Sequence, residues 1–241
     1  MIVAKVISKE FHAYFRSSLG YFLISVYILI SMLSTFFSGY FFAVGNFSLN
    51  SFFMFQPDVF TMLVPAITMK LWADEYKTGT IELLLTQPVS FISLVLGKFF
   101  AAWSFCCVML ICTFPFWLST SFFIKTDNFN ILINYLACLW LCGGMCALGC
   151  AVSSFCRNPI SAYILGLAAI YVVRIANLDY LINIFGFSNE LLLKMLKSLN
   201  FDAHYQNLIS GQLAPDDIFY FVFFISFSLI MNMVAIEYKK K

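Results

Sequence analysis

Between Ser17 and Pro57 the chain carries no charged side chain. Nothing constrains its fold more, because a stretch of this length rich in Phe, Leu and Ile is stable only inside a protein core or in lipid. Composition decides between the two. Some 62% of residues are hydrophobic, 19% aromatic and 11% charged, whereas soluble domains carry about a quarter charged residues. The sequence reads as an integral membrane protein. Its 241 residues can supply about six spans of roughly 20 residues each, as a single polytopic all-α transmembrane domain over 1–241. The first apolar run is longer than a signal-peptide core and lacks a small-residue cleavage site, so it is expected to remain as a span.

The first span is expected at about 21–44, followed by a polar turn near Gly45 to Ser51. The second is expected at 53–72, with Pro65 placed to kink it and Asp58 near its outer end. An acid at that depth is a candidate for a translocation path. It is also within about two turns of the helix end, where it can reach water or a headgroup. Further spans are expected at 93–123, with Pro115 as a break point, at 131–155, at 160–176 and at 218–236. Residues 177–217 are too polar for a straight span and read as outer re-entrant or surface helices. Pro215 suits a first helical position, and Asp216 and Asp217 suit the positive end of the helix dipole.

Residues 2–16 form a helix with computable faces. Lys5, Lys9, His12 and Arg16 fall in one stripe, while Val3, Ile7, Phe11 and Tyr14 fall opposite. This is the pattern of an interfacial helix lying on the bilayer. Topology follows from the basic residues. Lys5, Lys9, Arg16, Lys70, Lys77, Lys98, Arg157 and Lys239 to Lys241 lie on one side, ten in all, against Lys125, Arg174, Lys194 and Lys197 on the other. The imbalance places both termini in the cytoplasm, in a bacterial inner membrane.

No phosphate loop, H-E-x-x-H or G-x-S-x-G pattern is present in the sequence, so the chain reads as a non-catalytic subunit with no cofactor or metal of its own. A net charge of +2 with no basic run interleaved with aromatics gives no reason to expect a nucleic-acid partner. The eight cysteines lie between Cys106 and Cys156 in or beside apolar stretches, which argues against a disulfide framework. Cys138, Cys142, Cys146 and Cys150 share one helix face, where soft sulfur ligands can carry copper and a copper- or haem-handling protein is the alternative reading. Gly143, Gly144, Ala147, Gly149 and Ala151 stand beside them, and small residues at that density also serve close helix packing in lipid.

Against this apolar background the segment 73–90 stands apart. Asp74, Glu75, Lys77 and Glu82 cluster between two greasy blocks and belong in water. Thr78-Gly79-Thr80 suits a helix start, with Glu82 in its first turn and Pro88 as its end. Ile81, Leu84 and Leu85 would face one way and Glu82 the other, a shape fitted to a partner's groove. A solvated loop without a partner has the same composition.

The run Pro65-Ala66-Ile67-Thr68-Met69-Lys70-Leu71-Trp72-Ala73-Asp74-Glu75, followed by Lys77-Thr78-Gly79-Thr80-Ile81-Glu82-Leu83-Leu84-Leu85-Thr86-Gln87-Pro88-Val89 and Leu96-Gly97-Lys98-Phe99, resembles the signature of ABC-2 type transporter permeases. The branch it most resembles is that of gliding-motility-associated permeases, with nitrous-oxide-reductase-maturation permeases similar. Glu10 to Phe15, Ser153 to Pro159 and His204 to Gly211 extend the resemblance across nearly the whole chain, with His204 and Asn207 departing from the commoner acidic and aromatic residues. The resemblance implies a half-transporter. Two permease copies, or this chain and a paralogue, would each dock an ATP-hydrolysing subunit through Asp74, Glu75, Lys77, Thr78, Gly79, Thr80, Ile81, Glu82, Leu84 and Leu85. ATP and magnesium would be held by that partner. A periplasmic or membrane accessory protein is a further implied partner, beside the bilayer itself. Few intramembrane charges and many aromatics favour an apolar or amphipathic cargo, or force transmission without one.

Overall fold

Helices that are apolar around their circumference end where proline, glycine or a polar turn interrupts them, and the chain breaks at such places. The computed structural model describes residues 2–38, 49–82, 90–123, 127–175, 200–211 and 214–240. These are helical with short turns, and no strand occurs among the described residues. In chain order the helices are α1 (Ile2–Arg16), α2 (Ser18–Leu33, continued by a π-turn over Ser34–Ser38), α3 (Asn50–Met54), α4 (Gln56–Thr68) and α5 (Lys70–Thr78). They continue as α6 (Phe91–Ile111), α7 (Phe114–Phe123), α8 (Asn128–Phe155), α9 (Pro159–Ile175), α10 (Phe201–Ile209) and α11 (Pro215–Lys240).

Four stretches among the described residues are long and apolar enough to cross a bilayer: Ser18–Phe37, Phe91–Phe122, Asn128–Phe155 and Pro215–Tyr238. Pro159–Arg174 is apolar but shorter, and the expected second span is divided between α4 and α5. The chain is therefore a multi-pass membrane protein. The outer part of the first expected span, the loop residues 124–126 and most of 177–217 lie outside the described residues.

Pro115 does mark a break, since α6 ends at Ile111 and α7 begins at Phe114. Pro215 opens α11, with Asp216 and Asp217 in its first turn. The helix runs on through Pro65, and the interruption falls one turn later, at Met69. There the amides of Trp72 and Ala73 both donate to Ser153 Oγ, each at 3.3 Å, and the Ser153 hydroxyl donates to the Met69 carbonyl at 3.1 Å. A side chain from α8 thus replaces backbone bonds that the step between α4 and α5 gives up.

The centre of the bundle is α8, packed against α4, α5, α6, α9, α10 and α11. Its small residues admit these neighbours. A methyl group on Gly149 would collide with the Thr68 hydroxyl, so α4 and α8 approach at backbone distance. Cys138, Cys142, Cys146 and Cys150 are fully buried along it. Lys5, Lys9, His12 and Arg16 are exposed on α1 as their stripe requires. The other side of α1 meets protein rather than only lipid. Val6 fits against Gly97 of α6, and the Tyr14 ring stacks on Phe105 with centroids 4.7 Å apart.

Candidate functional site

Where α1, α5 and α6 meet, the side chain of Lys98 is enclosed, with 2% of its surface accessible. An ammonium removed from water must find acceptors for its three protons. Lys98 Nζ donates to the Leu71 carbonyl at 2.6 Å, to Glu75 Oε1 at 2.7 Å and to Glu10 Oε1 at 3.4 Å. It also lies 4.8 Å from the centroid of the buried Trp72 ring, within cation–π range. One lysine therefore fastens the N-terminal helix and the charged segment to the wall of a long apolar helix. Tyr14 adds a bond from its hydroxyl to the Ile67 carbonyl at 3.0 Å.

The Glu75 carboxyl is pushed above the ordinary carboxylate range by burial, which outweighs the opposing pull of Lys98. Its second oxygen, Oε2, is buried and has no hydrogen-bond partner among the described residues. Burial likewise raises the neighbouring Tyr76 phenol.

Beyond Glu75 the charged segment is articulated. Helix α5 ends at Gly79, whose φ of 71° lies in the left-handed region that glycine adopts without strain. Helix resumes over Thr80, Ile81 and Glu82, and the hydroxyls of Thr78 and Thr80 bridge the turn at 2.9 Å. Asp74, Lys77, Thr78, Gly79, Thr80 and Glu82 are exposed, whereas Ile81 is buried. The expected docking residues thus separate into an outward set and an inward pair, Glu75 and Ile81. Leu84 and Leu85 lie outside the described residues. A cavity of ≈ 370 Å³ opens between this segment, α1 and α6, with Lys9, Lys70 and Asp74 around it and Leu71 and Lys98 beneath.

A second ionic cluster stands at the opposite end of the bundle. Arg174 at the end of α9 forms a bidentate pair with Asp202 of α10 at 2.9 to 3.1 Å. Its Nη1 reaches Asp58 Oδ1 at 2.8 Å and the Thr61 hydroxyl at 2.9 Å on α4. The Asp58 side chain is 66% accessible, so it is an ion-pair partner at the rim of a ≈ 250 Å³ cavity. Nearby, His204 Nδ1 and Asn207 Nδ2 approach Asp217 Oδ1 at 2.5 and 3.4 Å.

The cysteine stripe forms contacts rather than a cluster of ligands. Cys106 Sγ lies 3.5 Å from Cys146 Sγ, and Cys138 Sγ lies 3.2 Å from the Tyr205 hydroxyl. Among the described residues no group of three His, Cys, Asp or Glu side chains is arranged to hold a metal ion. Sequence reasoning missed Lys98, Glu10, Arg174 and Ser153 as structural joints. For the two cations the available signal was an ionisable residue inside or at the end of an apolar run.

Among the described residues the chain is an all-helical, multi-pass bundle with a charged segment fastened to its first helix. The profile of the ABC-2 family transporter proteins matches residues 4–238, and the chain belongs to that family. No curated protein matches the chain closely enough to stand as a relative.

Proposed function

We propose that this chain is the membrane-spanning permease subunit of an ABC-2 transporter and that residues 73–90 dock a separate ATP-hydrolysing subunit. The observation that carries the reading is the juxtaposition of the exposed Asp74 to Glu82 segment, articulated at Gly79, with the enclosed Lys98 joint. A push delivered to the exposed side reaches α1 and α6 through Lys98, and α8 through Ser153. Helices joined by a few buried polar contacts move as units and transmit such a push to the transport path. In this reading six spans cross the bacterial inner membrane with both termini in the cytoplasm, the bundle pairs with a second permease, and each permease engages one ATPase.

Purification of the tagged protein in mild detergent should bring an ATPase with it. Glu82→Lys inverts an exposed charge away from the Lys98 joint, and deletion of residues 78–85 removes the articulated turn. Both should abolish that association. Retained association together with intact cellular function in both variants refutes the docking role.

A further inference from the structure

The ≈ 370 Å³ cavity beside the Lys98 joint falls in the range of about 300–1,000 Å³ typical of small-molecule sites. Its lining has two characters. Ala13, Leu19, Ala66 and Ile67 form an apolar side, where α2 begins and α4 is about to end. That position, at the ends of apolar helices, is headgroup depth in a bilayer. The other side carries Lys9, Lys70 and Lys98 against Glu10, Asp74 and Glu75, three cations and three carboxylates with no net charge. Lys98 is committed to Glu10 and Glu75. The exposed Lys9 and Lys70 therefore remain for an anion, and Asp74 with the unpartnered Glu75 Oε2 for a hydrogen-bond donor.

We propose that this cavity binds the headgroup of a zwitterionic aminophospholipid, with the phosphate on Lys9 and Lys70 and the primary ammonium on the Asp74 and Glu75 side. The balanced lining suits a headgroup that is itself neutral overall, with an anion for the free lysines and a cation for the free carboxylate oxygens. Of the two common zwitterions, phosphatidylethanolamine offers N–H donors, which phosphatidylcholine lacks, so only the former can hydrogen-bond the carboxylates on the Asp74 and Glu75 side. Its acyl chains would run along Leu19, Ala66 and Ile67. The inference goes beyond the docking role and does not require it. The site would seat a lipid as part of the wall that links α1 to the charged segment.

The test uses the purified full chain without any ATPase, so its outcome is separable from that of the pull-down. The protein is equilibrated with equal amounts of phosphatidylethanolamine, phosphatidylcholine and phosphatidylglycerol of identical acyl chains, washed, and its retained lipid identified by native mass spectrometry. Phosphatidylethanolamine should be retained about tenfold over the other two, as expected for one charge-assisted contact. Lys9→Gln with Lys70→Gln should reduce that retention about tenfold. Arg157→Gln, an exposed change at the turn between α8 and α9, should not. Asp74→Asn should weaken the preference over phosphatidylcholine. Preferential retention of phosphatidylglycerol, equal retention of all three lipids, or equal loss in the Arg157 variant overturns the proposal. Should the double variant fail to fold, the headgroup comparison on the unaltered protein still decides.

Discussion

Lys98 and Arg174 each fasten three helices, yet they do so in opposite styles. Lys98 is a point charge shut away from water, holding α1 and α5 to α6 with a carbonyl and two carboxylates. Arg174 is a planar fork, 13% accessible, holding α4 and α10 to α9 beside an Asp58 that is mostly in solvent. An enclosed cation cannot exchange a lost partner for water, whereas a rim cation can. Losing a partner is therefore expected to cost more at the Lys98 end than at the Arg174 end.

Substitutions test that contrast. Lys98→Met should be the most damaging, because Glu10 and Glu75 are left facing each other without a cation. The expected loss is about 3–5 kcal/mol of stability, as for other broken buried pairs, read as a lowered thermal midpoint in detergent. Arg174→Met removes charged hydrogen bonds at a wetter site and should lose about 1.5–3 kcal/mol, while Asp58→Asn should lose only about 0–1 kcal/mol. If Arg174→Met proves as harmful as Lys98→Met, the contrast fails.

The pH response is smaller and sharpens the same comparison. The Glu75 carboxyl binds its proton more tightly in the folded chain than in the unfolded one. Its contribution to stability is thus fully present below the unfolded value of 4.5 and is lost as pH rises through the elevated folded value. Mild acidification of a Lys98→Met protein should partly restore its thermal midpoint through protonation of Glu75. No recovery, or recovery that persists in Lys98→Met with Glu75→Gln, would assign the pH response elsewhere.

What the sequence revealed was local. The basic stripe of α1, the break near Pro115 and the opening of α11 at Pro215 each depend on residues within a turn or two, and each stands where periodicity and backbone chemistry place it. The charged segment around Asp74 to Glu82 was equally visible as an island in an apolar chain. The joints were not, because Lys98 meets Glu10 across 88 positions and Glu75 across 23, and no local pattern encodes such a meeting. Lys98 counted in the sequence as one more basic residue for topology. Glu75 counted as a surface docking residue, although its carboxylate is turned to Lys98. The Met69 step was hidden for the same reason, since its supporting hydroxyl comes from Ser153, 84 positions away.

That hydroxyl has a mechanical consequence. Ser153 Oγ takes two amides and returns one proton to the chain at a buried step. If α5 swivels relative to α4, all three bonds must be released and remade together, with no water at hand to share the transition. Under the proposed coupling such an arrangement would act as a detent, holding α5 in register with α4 against small rotations.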